Sequence, residues 1–526
     1  MWFRFGAVVF VLTATSWAQA PDGRDPAGPR VGPYYDVTIV LTDVRADLDH
    51  LTAGGYNITS VDGNVATLVA TAEELLWLGA DGYDITRADE QNPGRASKRG
   101  GKGLGVYHSY ATLTSELSTY ASTYASICKL ESLGQSTLGR EIWALKITDK
   151  PNKQEAEPEF KYVSTMHGDE LVGTEMCLYF IDELLTNYGT DNRITTLVDT
   201  TEIWIVPLMN PDGLEADSRF NDDGIDLNRN FPTWPEQFSG TIYDGAPLNA
   251  AGRALETQRV MEWSANNSFV LSANFHGGAR IVNYPYDDND LGSGVDSPTA
   301  EDALFRDLAL RYATPNTPMS TNSVPTTSNG IINGALWYEI TGGMQDWNYR
   351  YLSCNDVTIE LSENKSPNES NLPGLWDNNR ESMLAYAEAV HIGIRGIVKD
   401  KTTKDPIYAR ILVDGNPQPV FTDPDKGDYY RLLLPGTYTI KVSAPGYKQK
   451  KVKNVIVTNN GAVQVNVKLN PAAFKTDLNG DGKTNSIDIQ RVVSALLTNP
   501  EDEACDVDDN GTVDVSDLQH VVVAVR

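Results

Sequence analysis

Apolar and polar positions follow four successive regimes along the chain. Val37 to Leu41 and Val65 to Ala70 read as strands, while Ala46 to Leu51 and Ala72 to Leu78 recur at helical spacing, which predicts a small α+β unit over 21–102. From about Tyr107 to His391, apolar runs alternate with amphipathic stretches. Phe160 to Thr165, Glu202 to Val206, Phe269 to Phe275 and Asp356 to Leu361 predict buried strands; Thr174 to Asn187, Ala300 to Tyr312 and Leu375 to Val390 predict helices. This is α/β patterning, a mixed sheet flanked by helices over 103–392. The helical period then disappears. Arg410 to Val413, Tyr429 to Leu434, Thr437 to Val442, Val452 to Thr458 and Val463 to Leu469, punctuated by Pro435-Gly436 and Pro445-Gly446, predict an all-β sandwich over 393–470. In the last regime, 474–526, helices are predicted at Ile487 to Leu497 and Leu518 to Val525, each after an acidic loop. The expected architecture is therefore multidomain.

Composition adds to this in four respects. Residues 1–20 hold one Arg, an apolar run from Gly6 to Thr13 and a small-x-small Ala18-Gln19-Ala20, the signature of a secretory leader cut after Ala20. The run is too short for about 30 Å of hydrocarbon, and no later segment is long enough, so an extracellular protein without a membrane span is expected. Between the first and second regimes, Pro93 to Gly103 is basic and Gly-rich. It reads either as a tether or as an exposed processing site at Lys98-Arg99 that releases a propeptide. The four cysteines, Cys128, Cys177, Cys354 and Cys505, are scattered, which excludes a disulfide-rich scaffold and leaves room for one or two bridges. With 71 acidic against 43 basic residues, nucleic acid is not an expected partner.

Two of the six histidines stand in informative settings. His167-Gly168-Asp169-Glu170 follows one predicted strand and Phe275-His276-Gly277-Gly278 ends another, at the carboxyl ends where open α/β sheets place their crevices. Two imidazoles and a carboxylate suit zinc and leave a fourth position for water. Around them lie Asn210-Pro211-Asp212-Gly213, Arg219, Gly224-Ile225-Asp226-Leu227-Asn228-Arg229-Asn230-Phe231-Pro232, Asn333-Gly334-Ala335-Leu336-Trp337-Tyr338, Gly342-Gly343-Met344-Gln345-Asp346-Trp347 and Asp356-Val357-Thr358-Ile359-Glu360-Leu361. In this order the motifs resemble the M14 zinc carboxypeptidases, specifically their N/E branch. The resemblance implies zinc ligands at His167, Glu170 and His276, a general base at Glu360 and a carbonyl-polarising guanidinium at Arg219. It further implies a clamp on the substrate's C-terminal carboxylate at Asn228 and Arg229 and a tyrosine over the bound end at Tyr338. Asp287 falls where that branch carries an acidic residue in its specificity pocket, with Gln345 opposite, which implies removal of C-terminal Lys or Arg from peptides or proteins. Two other readings stay open: an amidase acting on atypical peptide ends, and a catalytically silent domain that displays the tail on a scaffold.

The β-rich segment resembles the transthyretin-like domain of the same branch. The tail holds two loops of one design. Asp477, Asn479, Asp481, Lys483, Asn485 and Asp488 stand at positions 1, 3, 5, 7, 9 and 12 of the first; Asp506, Asp508, Asn510, Thr512, Asp514 and Asp517 do so in the second. Oxygen donors at this spacing, with Gly at position 6, form a calcium loop. The pair resembles a type I dockerin, which implies two structural calcium ions and a cohesin-type scaffold partner. Positions 10 and 11 differ between the copies, Ser486-Ile487 against Val515-Ser516, so a calcium-stapled module without that partner also stays open.

Overall fold

The computed structural model describes residues 32–91, 101–233, 252–289, 291–321, 329–459, 461–472, 476–479, 483–499, 502, 504–507 and 513–525. The expected leader, the Lys98-Arg99 pair and the tail residues Asp481, Asp508, Asn510 and Thr512 lie outside the described residues.

The first unit runs β1 (Tyr34–Val40), α1 (Val44–Ala53), β2 (Asn57–Asp62), β3 (Val65–Thr71), α2 (Ala72–Ala80) and β4 (Asp84–Glu90). Side chains start both helices: Asp43 accepts from the Ala46 amide at 3.2 Å, and Thr71 with Glu74 forms a capping box. The strands pair antiparallel in the order β2-β3-β1-β4, so β2 is an edge. Leu48, Leu51 and Leu78 close the sheet's apolar face over Val37, Ile39 and Leu68.

The second unit contains α3 (Tyr110–Thr123), β5 (Cys128–Gln135), β6 (Glu141–Ile147), β7 (Glu159–Ser164), α4 (Val172–Asn187), α5 (Asn192–Asp199), β8 (Glu202–Val206), α6 (Pro211–Ala216) and α7 (Leu255–Ala265). It continues with β9 (Phe269–His276), β10 (Arg280–Tyr284), α8 (Asp302–Ala313), α9 (Thr317–Ser320), β11 (Ile331–Asn333), α10 (Gly334–Trp337), α11 (Met344–Leu352), β12 (Asn355–Leu361) and α12 (Leu372–Glu388). Eight strands form one mixed sheet, ordered β11-β10-β12-β9-β7-β8-β6-β5. Its centre, β12-β9-β7-β8, is parallel, and every residue of these four strands is buried, which is why they read as continuous runs rather than alternating ones. All four cysteines of the chain are buried and free.

The third unit is two packed sheets. β13 (Ile394–Asp400), β14 (Arg410–Val413), β15 (Val420–Phe421), β16 (Asp428–Arg431), β17 (Gly436–Ser443), β18 (Lys450–Val457), β19 (Val463–Gln464) and β20 (Val467–Leu469) pair as β16-β13-β19, with β20 also on β13, and as β15-β14-β17-β18. The fourth consists of α13 (Ser486–Thr498) and α14 (Val515–Val525), joined by a small core including Leu478, Val492, Val507 and Val521. Among the described residues no helix is long and apolar enough to cross a membrane.

Candidate active site

The site lies at the carboxyl end of the parallel strands. β7 ends at Ser164 and is followed by Thr165, a β-branched residue held at φ 50°, a conformation costing about 1–3 kcal/mol and tolerated where surrounding contacts fix it. Its hydroxyl shares a hydrogen bond with Thr174 (2.8 Å) and donates to the Glu170 carbonyl (3.2 Å), so the turn brings His167 and Glu170 into the crevice. The glycines of the motifs have a steric reason. A Cβ on Gly168 would stand 2.0 Å from the Gly213 carbonyl carbon, so the His167 turn and the first turn of α6, Pro211-Asp212-Gly213, can meet only with a glycine at 168.

His276 arrives from the end of β9. In the parallel register it sits opposite Glu360 of β12, which sends both side chains to the same face of the sheet. His167, Glu170 and His276 are each no more than 3% exposed, and their donor atoms converge. His276 Nδ1 is 3.0 Å from His167 Nδ1 and 2.9 Å from Glu170 Oε2; His167 Nδ1 is 3.0 Å from Glu170 Oε1. An ion with tetrahedral bonds of about 2.0–2.1 Å spaces its donors about 3.3 Å apart, so this triad fits zinc in donor chemistry and in spacing. Burial lowers the His276 imidazole, which favours its neutral, ligating form. Burial opposes the Glu170 charge, but the two imidazoles outweigh it and hold the carboxyl well below its usual range.

Asp226 orders the ring behind this cluster. Its Oδ1 faces His167 Nε2 at 3.0 Å and its Oδ2 accepts from Arg219 Nε at 2.9 Å; Arg219 Nη1 reaches Glu170 Oε1 at 3.1 Å. A carboxylate on the far nitrogen fixes the tautomer and orientation of a ligating histidine. Asp226 lay inside a motif read for Asn228 and Arg229, and it went unassigned because nothing in a linear pattern says which neighbour of a motif points back to the metal.

One cavity is lined by His167, Glu170, Arg219, Asn228, Arg229, His276, Asp287, Tyr338 and Glu360, together with Asn283, Ile340 and Thr358. Of the residues singled out for catalysis, substrate and zinc, Gln345 alone is not in that lining; it is 1% exposed, in the first turn of α11. Polar atoms without partners cluster toward that end: Asp287 Oδ1, Asn283 Oδ1 and both amide atoms of Gln345. Burial raises the Asp287 carboxyl to about 7, against a hydrogen bond from Asn283 and the opposing charge of Arg229; Asp346 beside it is raised too, by burial and then by Asp287. A Cβ on Gly334 would lie 1.8 Å from Asp287 Oδ1, so that wall of the pocket must be bare backbone.

The cavity is also lined by Thr59, from the first unit. Edge strand β2 lies along its rim, and its carbonyls take donors there: Ile58 from Arg229 Nη2 (3.2 Å), Thr59 from the Tyr338 hydroxyl (3.4 Å) and Val61 from Trp337 Nε1 (2.9 Å). Asn57 Nδ2 donates to Asp226 Oδ2 at 2.7 Å. Ile281, Ile332 and Trp337 belong to the same apolar cluster as the first unit's core.

In the tail, the two position-12 carboxylates hold their loops alike. Asp488 accepts from the Leu478 (2.8 Å), Asn479 (3.2 Å) and Asn485 (2.9 Å) amides; Asp517 accepts from the Val507 and Asp514 amides.

A mixed α/β sheet with two histidines and a glutamate gathered at the ends of its central strands defines a metal-binding α/β scaffold. The chain belongs to the zinc carboxypeptidase family, whose model matches residues 113–382. Models of the carboxypeptidase regulatory-like domain and of the dockerin type I domain match 393–470 and 475–525. The chain is 42% identical to carboxypeptidase D of Homo sapiens over 395 residues, covering 72% of this chain and 28% of that protein. It is 39% identical to carboxypeptidase M of Mus musculus over 368 residues, covering 66% of this chain and 81% of that one. The carboxypeptidase D relatives are thus spanned over little more than a quarter of their length. A crystal structure of carboxypeptidase A from Helicoverpa armigera shares the fold, with a TM-score of 0.52 at 17% identity over 68% of this chain and 97% of that chain. The family implies zinc, and the dockerin domain implies calcium.

Proposed function

We propose that this chain is an extracellular carboxypeptidase that removes C-terminal Lys or Arg from peptides and proteins. The convergence of His167, Glu170 and His276 beside Glu360 carries the reading. Zinc held by these three side chains supplies Lewis acidity and brings the pKa of a bound water toward about 7. Glu360, buried and with Oε2 unpartnered, is the group placed to take a proton. The Arg219 guanidinium, oriented by Asp226, supplies positive charge where a carbonyl oxygen turns anionic. Arg229, beside Asn228, grips a carboxylate with two parallel donors and so selects chain ends. Asn228 is fixed in turn, its Oδ1 accepting from the Met344 amide at 3.0 Å. The intact set of side chains supports an active enzyme over a silent scaffold.

The unpartnered Asp287 Oδ1, in a carboxyl that burial has already raised, supports a cationic side chain, since a buried carboxylate gains most from an ion-pair partner. Asp287→Asn is expected to lower kcat/KM for Arg-ended peptides by about 10²-fold while changing Leu-ended ones little. Because its carboxyl is raised, KM for Arg-ended peptides should climb as pH falls through the weakly acidic range, where the charged form is lost. Release of free Arg and Leu from matched peptides measures both; a chain that prefers Leu ends overturns the assignment.

For the tail we propose calcium at both loops, with Asp477, Asn479, Asn485 and Asp488, and Asp506, Asp514 and Asp517, among the oxygen donors, and docking to a cohesin-type scaffold. EGTA is expected to make 474–526 sensitive to protease while the second unit stays resistant. A tail equally resistant with and without calcium argues against the sites.

The first unit is proposed to be a removable cover on the cavity, supported by the β2 carbonyls on Arg229 and Tyr338.

A further inference from the structure

Glu301, 6% exposed at the start of α8, receives donors from two units. Arg431 Nη2 and Nη1 lie at 2.6 and 3.0 Å, and Asn416 Nδ2 at 3.1 Å; both residues belong to the β-sandwich. The fourth donor, at 3.2 Å, is the hydroxyl of Tyr349 on α11. The sandwich holds Tyr349 a second time, because Gln418 Nε2 donates to its carbonyl at 2.8 Å, and the Gln418 carbonyl is itself bound by Arg431 Nη2 at 3.1 Å. The network is fully buried at Arg431, where an uncompensated charge would be costly, so its geometry is tightly determined.

Tyr349 faces the pocket through two short routes. Its ring packs on Tyr286, centroids 5.7 Å apart, and Tyr286 directly precedes Asp287. Along α11, about 13 Å of stiff helix, the first turn carries Gln345 and Asp346, whose carboxylate accepts from the Asp287 and Asp288 amides at 2.9 and 3.2 Å. The element clamped by the sandwich at one end therefore builds the pocket at the other.

We propose that the β-sandwich is part of the specificity apparatus: Gln418 and Arg431, acting through Glu301 and Tyr349, are positioning residues that hold α11 and the Tyr286-Asp287 segment where a cationic C-terminal side chain is received. This rests on the basic-end reading above and deepens it. An interface serving only as adhesive affects every substrate alike; one that sets the pocket changes selectivity. Tyr349→Phe keeps the ring on Tyr286 and removes the donor to Glu301, which retains Arg431 and Asn416. Gln418→Met keeps the side-chain volume and removes the donor to the Tyr349 carbonyl. Both variants, singly and combined, are assayed in the full chain on peptides ending in Arg or Leu, alongside melting temperature and zinc content. The expected result is a KM for the Arg peptide raised about tenfold with kcat nearly unchanged, and an Arg-over-Leu preference lowered to match. Either single variant that folds, retains zinc and keeps the wild-type preference overturns the proposal, as does an equal fall on both peptides. A wild-type chain that stays inactive on both even after the cut between its first and second units removes the reading beneath it, whereas an Arg-preferring wild type with unaltered variants removes this inference alone.

Discussion

Replacing Glu360 with glutamine is expected to lower kcat/KM on an Arg-ended peptide by about 10²–10⁴-fold, the usual worth of a general acid–base group, while zinc content and melting temperature stay at the wild-type level. Glutamine has the same shape and fits the 6% exposed position at the end of β12. Glu360 Oε2 has no hydrogen-bond partner to lose, and a glutamine carbonyl can still accept the backbone hydrogen bond from Ala279, so the substitution removes proton acceptance without opening a hole. His276 stands opposite Glu360 across the β9-β12 ladder, and that ladder is made by backbone groups, so the metal cluster should be left in place. Metal content by atomic emission and turnover by Arg release separate the two effects. A variant that loses zinc would recast Glu360 as a support of the cluster, and one with wild-type turnover would remove it from the chemistry.

The contrast between what was legible in the chain and what was not follows from the range of the interactions. β7, β8, β9 and β12 are buried on both faces, so their apolar runs name them directly, and the residues at their carboxyl ends, His167, His276 and Glu360, inherit the crevice. Strand β5 at the sheet's edge and β6 beside it alternate or carry charge and gave no such signal. Asp226 is a different case. Its motif was visible, but its work depends on His167 and Asn57, 59 and 169 residues away, and no local pattern encodes a partner at that distance. The Glu301–Arg431 pair, 130 residues apart, was hidden for the same reason. Alternation marked the first unit as α+β, but what it packs against could not be read from it. Trp337 and Ile332 join its core only because the edge of β2 comes to rest on the cavity rim.

That packing carries the second large expected effect. Cutting the chain between its first and second units should raise kcat/KM on Arg-ended peptides by about 10–1,000-fold. An edge strand offers unpaired carbonyls, and those of β2 are occupied by Arg229, Tyr338 and Trp337, the first two of which are proposed to receive the substrate. The Ile58 carbonyl engages one N–H of Arg229 Nη2, and the strand that carries it lines the cavity, so a substrate carboxylate arriving at Arg229 has to displace that strand. The uncut chain therefore binds substrate only in the fraction of time the cover is lifted. Minor states of this kind are populated at about 0.1–10%, and apparent affinity scales with that fraction. The joint core of Ile281, Ile332 and Trp337 with the first unit's apolar face keeps the cover down while it stays tethered. Once cut, dilution removes the high effective concentration that returns it. A protease that recognises paired basic residues, expected to act at Lys98-Arg99, performs the cut on the intact protein, and Arg release is followed before and after. Adding back the released fragment should restore inhibition in a concentration-dependent way. Equal activity in the cut and uncut chains, with the cut verified by mass, would mean that β2 yields to substrate freely and that the first unit serves some other end.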